Sequence, residues 1–105
     1  MWIRSAFWLG APKVGAEDSF RAAINLELVP GLCKLPAVRG AKALWPERLE
    51  DQPPGIACQI LVEFDGREGI DEMLASPGRR ALRTRVTEVA KMFDGTISHI
   101  DYRVA

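Results

Sequence analysis

His99 is the only histidine in the chain, and so the only side chain whose ordinary pKa lies near neutrality. It offers general acid–base chemistry on a carbon acid or a phenol. Tyr102, the only tyrosine, offers a phenol that could donate to a substrate carbonyl oxygen. Glu27 flanks an apolar helical stripe, where a dry pocket rim would raise its pKa and make it a base. Each residue also has a plainer reading. His99 could be a strand histidine at a subunit contact, bonded to Glu63. Tyr102 could satisfy a backbone or carboxylate partner, and Glu27 could pair with a neighbour in water. Ser5, Phe7, Cys58 and Ser98 suit a pocket wall. Neither Ser5 nor Cys58 has a visible activating base, which argues against nucleophilic catalysis. Trp45, just before Pro46, could close a pocket over a planar ligand or cover the end of the core.

Other chemistries find no pattern. Cys33 and Cys58 are the only cysteines, too few for a disulfide framework or a closed zinc site. The acids at Asp65, Glu68, Asp71 and Glu72 fail the calcium-loop spacing and read as a turn followed by a helix start. No glycine-rich phosphate loop or nucleotide fingerprint is present, so no cofactor and no metal are expected. Arg79, Arg80, Arg83 and Arg85 fall on a helix near Glu88. With 14 basic and 14 acidic residues the formal charge is zero, so these arginines read as a solvated face, and no nucleic-acid partner is expected.

The elements that must position these residues follow from periodicity. In 105 residues, 48% hydrophobic and 27% charged, there is room for one globular domain covering 1–105. Met1 to Leu9 reads as a strand with Trp2, Arg4, Ala6 and Trp8 on one face and a mostly apolar second face of Ile3, Ser5, Phe7 and Leu9. Asp18 or Ser19 is the expected helix cap, and Phe20, Ile24 and Leu28 form the stripe of the helix that follows. Pro30 is expected to kink or end it. Val38 to Trp45 reads as a second strand and Ile56 to Phe64 as a third, with Ile56, Cys58, Ile60, Val62 and Phe64 on one face. A short helix runs from about Glu68 to Ala75. Ser76-Pro77 starts another, to about Met92. Thr96 to Val104 alternates as the last strand.

The order βαββαβ predicts a ferredoxin-like α+β fold, a four-stranded antiparallel sheet with both helices on one face. The apolar face of the third strand should meet the helices, and with it Ile3, Phe7, Ile100 and Val104. Tyr102, Ser98, Ser5 and Cys58 would then point toward the helices. The opposite face would carry Trp2, Trp8, Ala57 and Leu61 among Arg4, Gln59, Glu63, His99, Asp101 and Arg103. Such a mixed patch suits a self-complementary twofold contact, so a homodimer joined through the sheet faces is expected. No stretch is apolar and long enough to span a membrane. The first residues lack a signal-peptide layout, which predicts a cytoplasmic protein without a membrane partner.

The element order, the segment Leu28-Val29-Pro30-Gly31-Leu32-Cys33-Lys34-Leu35-Pro36-Ala37-Val38-Arg39-Gly40, the junction Met73-Leu74-Ala75-Ser76-Pro77 and the ending Phe93 to Tyr102 resemble EthD-like proteins of the dimeric α+β barrel superfamily. The resemblance spans almost the whole chain, through motifs that are mostly structural. It implies a dimer whose two sheets form a barrel, with a small hydrophobic pocket between sheet and helices in each subunit. It also implies a range of functions: cofactor-independent monooxygenases, cyclases, lactone isomerases, dehalogenating or decarboxylating enzymes, and accessory proteins. Many members carry a histidine ahead of a proline late in the first helix. Here Asn25-Leu26-Glu27-Leu28-Val29-Pro30 has none, leaving Glu27 as the substitute. The expectation is therefore a cofactor-independent isomerase, cyclase or lyase acting by proton transfer on a compact hydrophobic or aromatic-pathway metabolite. Tyr102, His99 and Glu27 would be its catalytic residues, and Ser5, Phe7, Trp45, Cys58 and Ser98 would bind substrate. The alternative is a non-catalytic accessory or ligand-binding dimer.

Overall fold

A computed structural model describes residues 1–105. Strand β1 (Trp2–Pro12) leads into α1 (Glu17–Ala23), a π-helical turn (Ile24–Leu28) and α2 (Val29–Cys33). Strands β2 (Gly40–Leu44) and β3 (Ile56–Phe64) follow, then α3 (Arg67–Ala75), α4 (Pro77–Ala90) and β4 (Phe93–Arg103). The sheet order is β2-β3-β1-β4, all antiparallel. This is the ferredoxin-like βαββαβ arrangement predicted from the sequence.

Local chemistry accounts for most boundaries. The Ser76 hydroxyl accepts from the Arg79 N–H at 3.2 Å and donates to the Met73 carbonyl at 2.7 Å, with Pro77 opening α4. The first helix differs from expectation at its start, while at Pro30 it deforms and continues, one of the two outcomes expected there. Its N-cap is Ala16, without a side-chain cap, and the acids Glu17 and Asp18 occupy the first turn. Pro30 does not end the helix. The chain widens into the π turn, where the Val29 N–H reaches back five residues to the Ile24 carbonyl, and continues as α2 with Pro30 in its first turn. A proline has no N–H to give to the carbonyl four residues back, and the wider turn absorbs that loss. Gly31 then lets α2 lie close on α4, since a Cβ there would press on the Leu82 side chain.

β1 runs three residues further than the sequence suggests, pairing Gly10, Ala11 and Pro12 with Gly95, Asp94 and Phe93. Gly10 and Gly95 are paired at φ of +130° and +151°, and a Cβ on either would collide with the opposing backbone. Ser5 pairs with Leu61 and Ile100, while Trp2, Arg4, Ala6 and Trp8 pair with Phe64, Val62, Ile60 and Cys58 on one side. On the other side the same four pair with Arg103, Asp101, His99 and Ile97. Cross-strand partners share a face.

The face expected for β1 and β4 is therefore reversed. The apolar face of β3 meets the helices as predicted, but it brings Trp2, Ala6, Trp8, Ile97 and His99 with it. Ile3, Phe7, Leu61, Ile100, Ser98 and Tyr102 lie on the open face. Trp8, Phe20, Phe64, Ile24 and Leu28 are among the fully buried side chains of the core. At one end Trp8 meets Phe20 and Phe93 edge-on, with centroids 5.2 and 5.3 Å away, and Phe20 stacks on Phe93 at 5.2 Å.

Candidate functional site

Along the helix-facing side of β1 the side chains shrink from Trp8 to Ala6 and then turn cationic at Arg4. The aromatic cluster fills the space over Trp8. Over Ala6 a cavity of about 510 Å³ remains between the sheet and the helices. Its floor is Ala6, Ile60, Val62 and Ile97, and its roof is Leu28 of the π turn, Leu32 of α2, and Leu82 and Val86 of α4. Arg4, His99, Arg79, Arg83 and Thr87 form its polar part. A second hollow adjoins it, sharing Leu74, Arg79, Arg83 and Thr87 and adding Arg80 and Thr84.

Three guanidinium groups thus gather at one end of an apolar cavity. Arg4 is mostly buried and pairs with Asp101 at 2.9 Å. Arg79 and Arg83 take part in none of the ion pairs of the chain. Burial holds the Arg79 guanidinium below its ordinary pKa, and the charges of Arg83 and Arg4 add to the effect.

His99 sits opposite Ala6. Its pKa lies below the usual histidine value, first through burial, then through the positive charges of Arg4, Arg79 and Arg83, with Asp101 pulling the other way. The side chain still has an exposed edge. The residue is among those that line the cavity, and its partial burial disfavours a charge. The imidazole makes no side-chain hydrogen bond within the protein and is neutral at pH 7, its lone pair free to accept a proton.

Of the eight residues singled out from sequence, only His99 lines this cavity. Its plainer reading also fails geometrically: Glu63 is on the other face, within 3.4 Å of Lys42. Tyr102 lies on the open face, 42% exposed, opposite Ile3. Ser98 and Phe7 are paired on that face too. Ser5 is buried there, accepting from the Gln59 amide at 2.8 Å. Cys58 does face the helices, but it is sealed in the core beside Trp8, and burial pushes its thiol up to about 12. That thiol is inert at neutral pH.

Glu27 is bound by Arg85, at 3.0 and 2.7 Å, on the outer surface. That hydrogen bond lowers its pKa, against a smaller opposing effect of burial. The change is opposite to the one a general base needs. Trp45 donates to Asn25 Oδ1 at 3.0 Å, packs edge-on against Phe20 and carries the Arg21 guanidinium on its ring. It covers the end of the core, as its plainer reading had it.

The residues missed from sequence are Arg4, Arg79 and Arg83. Arg79, Arg83 and Thr87 recur every four residues beside the apolar stripe Leu82, Val86 and Ala90. That spacing puts them on the flank of a packed face and was a usable signal. The arginine run does not act together: Arg80 donates to the Ala75 carbonyl and Arg85 serves Glu27 and Glu88.

No helix is long and apolar enough to cross a membrane. No family model matches the sequence, and no curated protein matches it. Solved structures do resemble the chain in three dimensions. An EthD (ethyl tert-butyl ether D) family protein from Bacillus halodurans C-125 superposes with a TM-score of 0.79 at 11% identity, covering 100% of this chain and 99% of that one. A protein from Jannaschia sp. CCS1, described as dimeric and ferredoxin-like, gives 0.69 at 17% identity over 99% and 100%. A putative antibiotic biosynthesis monooxygenase from Nitrosomonas europaea gives 0.65 at 12% over 99% and 98%. The chain has the ferredoxin-like fold, which it shares with the EthD family protein and with the dimeric ferredoxin-like protein.

Proposed function

We propose that the chain is a small cofactor-independent enzyme of isomerase, cyclase or lyase type, working as a homodimer on a compact hydrophobic molecule held beneath the helices. The observation that carries this reading is the neutral His99 in the wall of a cavity of about 510 Å³ that is aliphatic on one side and cationic on the other. A neutral imidazole can take a proton from a carbon next to a carbonyl. The C–H bond breaks, the N–H bond forms, and the electron pair moves onto the carbonyl oxygen as an enolate. Returning the proton to another carbon completes an isomerisation. Arg4, Arg79 and Arg83 stand where they can stabilise the developing oxyanion, and the apolar walls strengthen that interaction.

The homodimer draws support from the open face of the sheet, where Ile100 and Tyr102 remain 46% and 42% exposed, and from neighbours described as dimeric. A second reading, binding without turnover, is favoured by one finding: of the three expected proton-transfer groups only His99 reaches the cavity.

Deuterium uptake from heavy water into a panel of compact lactones and β-dicarbonyl compounds separates the two. Turnover predicts protein-dependent exchange that falls about 10²- to 10⁴-fold in His99→Asn and is blocked in Ala6→Leu, which fills the floor. Ligands that bind without any exchange would establish the second reading.

A further inference from the structure

The cavity joins two unlike halves, and the join restricts what can occupy it. The inner half offers aliphatic walls. The outer half, continuous with the adjoining hollow, offers Arg79, Arg80, Arg83, Thr84 and Thr87. Guanidinium groups have no acceptor, so this end is built almost wholly of donors. Arg79 and Arg83 lie four residues apart on α4, one turn above the other. Arg4 approaches from β1, and Asp101 is the one carboxylate that pairs with any of the three. Like charges kept together beside an apolar space, two of them without a counter-charge in the chain, are unfavourable until something negative enters. An oxyanion that can accept two parallel N–H bonds matches the guanidinium fork better than any neutral group.

We propose that the molecule bound here is an amphiphilic anion: a compact apolar body in the inner cavity and one anionic oxygen headgroup held between Arg79 and Arg83, with Arg4 behind them. This narrows the substrate class of the reading above and rests on that cavity being the ligand site. A carboxylate and a phosphate monoester share the required chemistry.

Calorimetric titration with three probes of one shape tests it: 2-naphthoate, 2-naphthyl phosphate and the neutral 2-naphthalenemethanol. The expected result is that an anionic probe binds about tenfold or more tightly than the alcohol, as charge-assisted hydrogen bonds allow. In Arg79→Gln/Arg83→Gln that preference should shrink to within about twofold. Preference for naphthoate identifies a carboxylate ligand, and preference for the phosphate identifies a phosphate monoester. If the double variant does not fold, salt decides on the unaltered protein: the anion's advantage should fall several-fold between low and high ionic strength, while the alcohol's affinity holds. Equal binding of all three probes, or a salt-independent preference, overturns the inference and leaves the pocket reading standing. Failure of every probe to bind overturns both.

Discussion

The two faces of the one sheet divide the labour of the molecule. On the helix side, β1 offers Trp8, Ala6 and Arg4 in sequence, so that face passes from a packed aromatic core through an empty apolar space to a cationic mouth. On the other side, Ile3, Phe7, Leu61, Ile100 and Tyr102 surround a buried Ser5 and its Gln59 partner. His99 and Tyr102 are three residues apart on β4 and therefore on opposite faces. Position along a strand decides which of two chemically able side chains lines the cavity.

Substitutions on the two faces should differ in kind. The largest effect belongs to the packed end: Phe20→Ala, which removes a fully buried ring from between Trp8, Phe93 and Trp45, should cost about 3–5 kcal/mol in urea unfolding. On the open face, Ile100→Glu should leave the fold within about 1 kcal/mol and turn a dimer into a monomer by sedimentation at micromolar concentration. A dimer that survives this change would place the subunit contact elsewhere. The smallest effect is expected outside both faces. Glu27→Gln breaks an exposed pair with Arg85 and should leave turnover within about twofold; a loss like that of His99→Asn would return Glu27 to the catalytic residues.

These contrasts also show what the sequence can reveal. β3 was legible end to end, because Ile56, Cys58, Ile60, Val62 and Phe64 put an apolar side chain at every second position, and all of them but Ile56 are buried. β1 was legible as a strand but not in its facing. Trp2 and Trp8 on one side compete with Ile3 and Phe7 on the other, and only the pairing of Trp2 with Phe64 decides between them. A reversal of facing moves every side chain of a strand, and β4 followed β1. Tyr102, Ser98, Ser5 and Phe7 were assigned to the wrong face by that single choice, and His99 was placed away from the pocket it lines.

The cavity itself could not be read from composition. It exists where Ala6 is small and where Leu32 and Leu82, fifty residues apart in the chain, bridge over it. The π turn was equally silent, since Pro30 signals a broken ladder without saying how the break is absorbed. The cap at Ser76-Pro77, by contrast, is local chemistry and was plain from two adjacent residues.

With a single histidine in the chain, one titration tests the central claim most directly. The imidazole C–H resonances of His99 should titrate below the usual histidine value in the free protein, because burial and the charges of Arg4, Arg79 and Arg83 outweigh Asp101. Saturation with 2-naphthoate should raise that pKa, since a nearby anion favours the protonated ring, and by linkage the anion should bind more tightly as pH falls through the transition. A histidine that titrates at its ordinary value and is unmoved by the ligand would contradict the placement of His99 beside an anion-binding cavity.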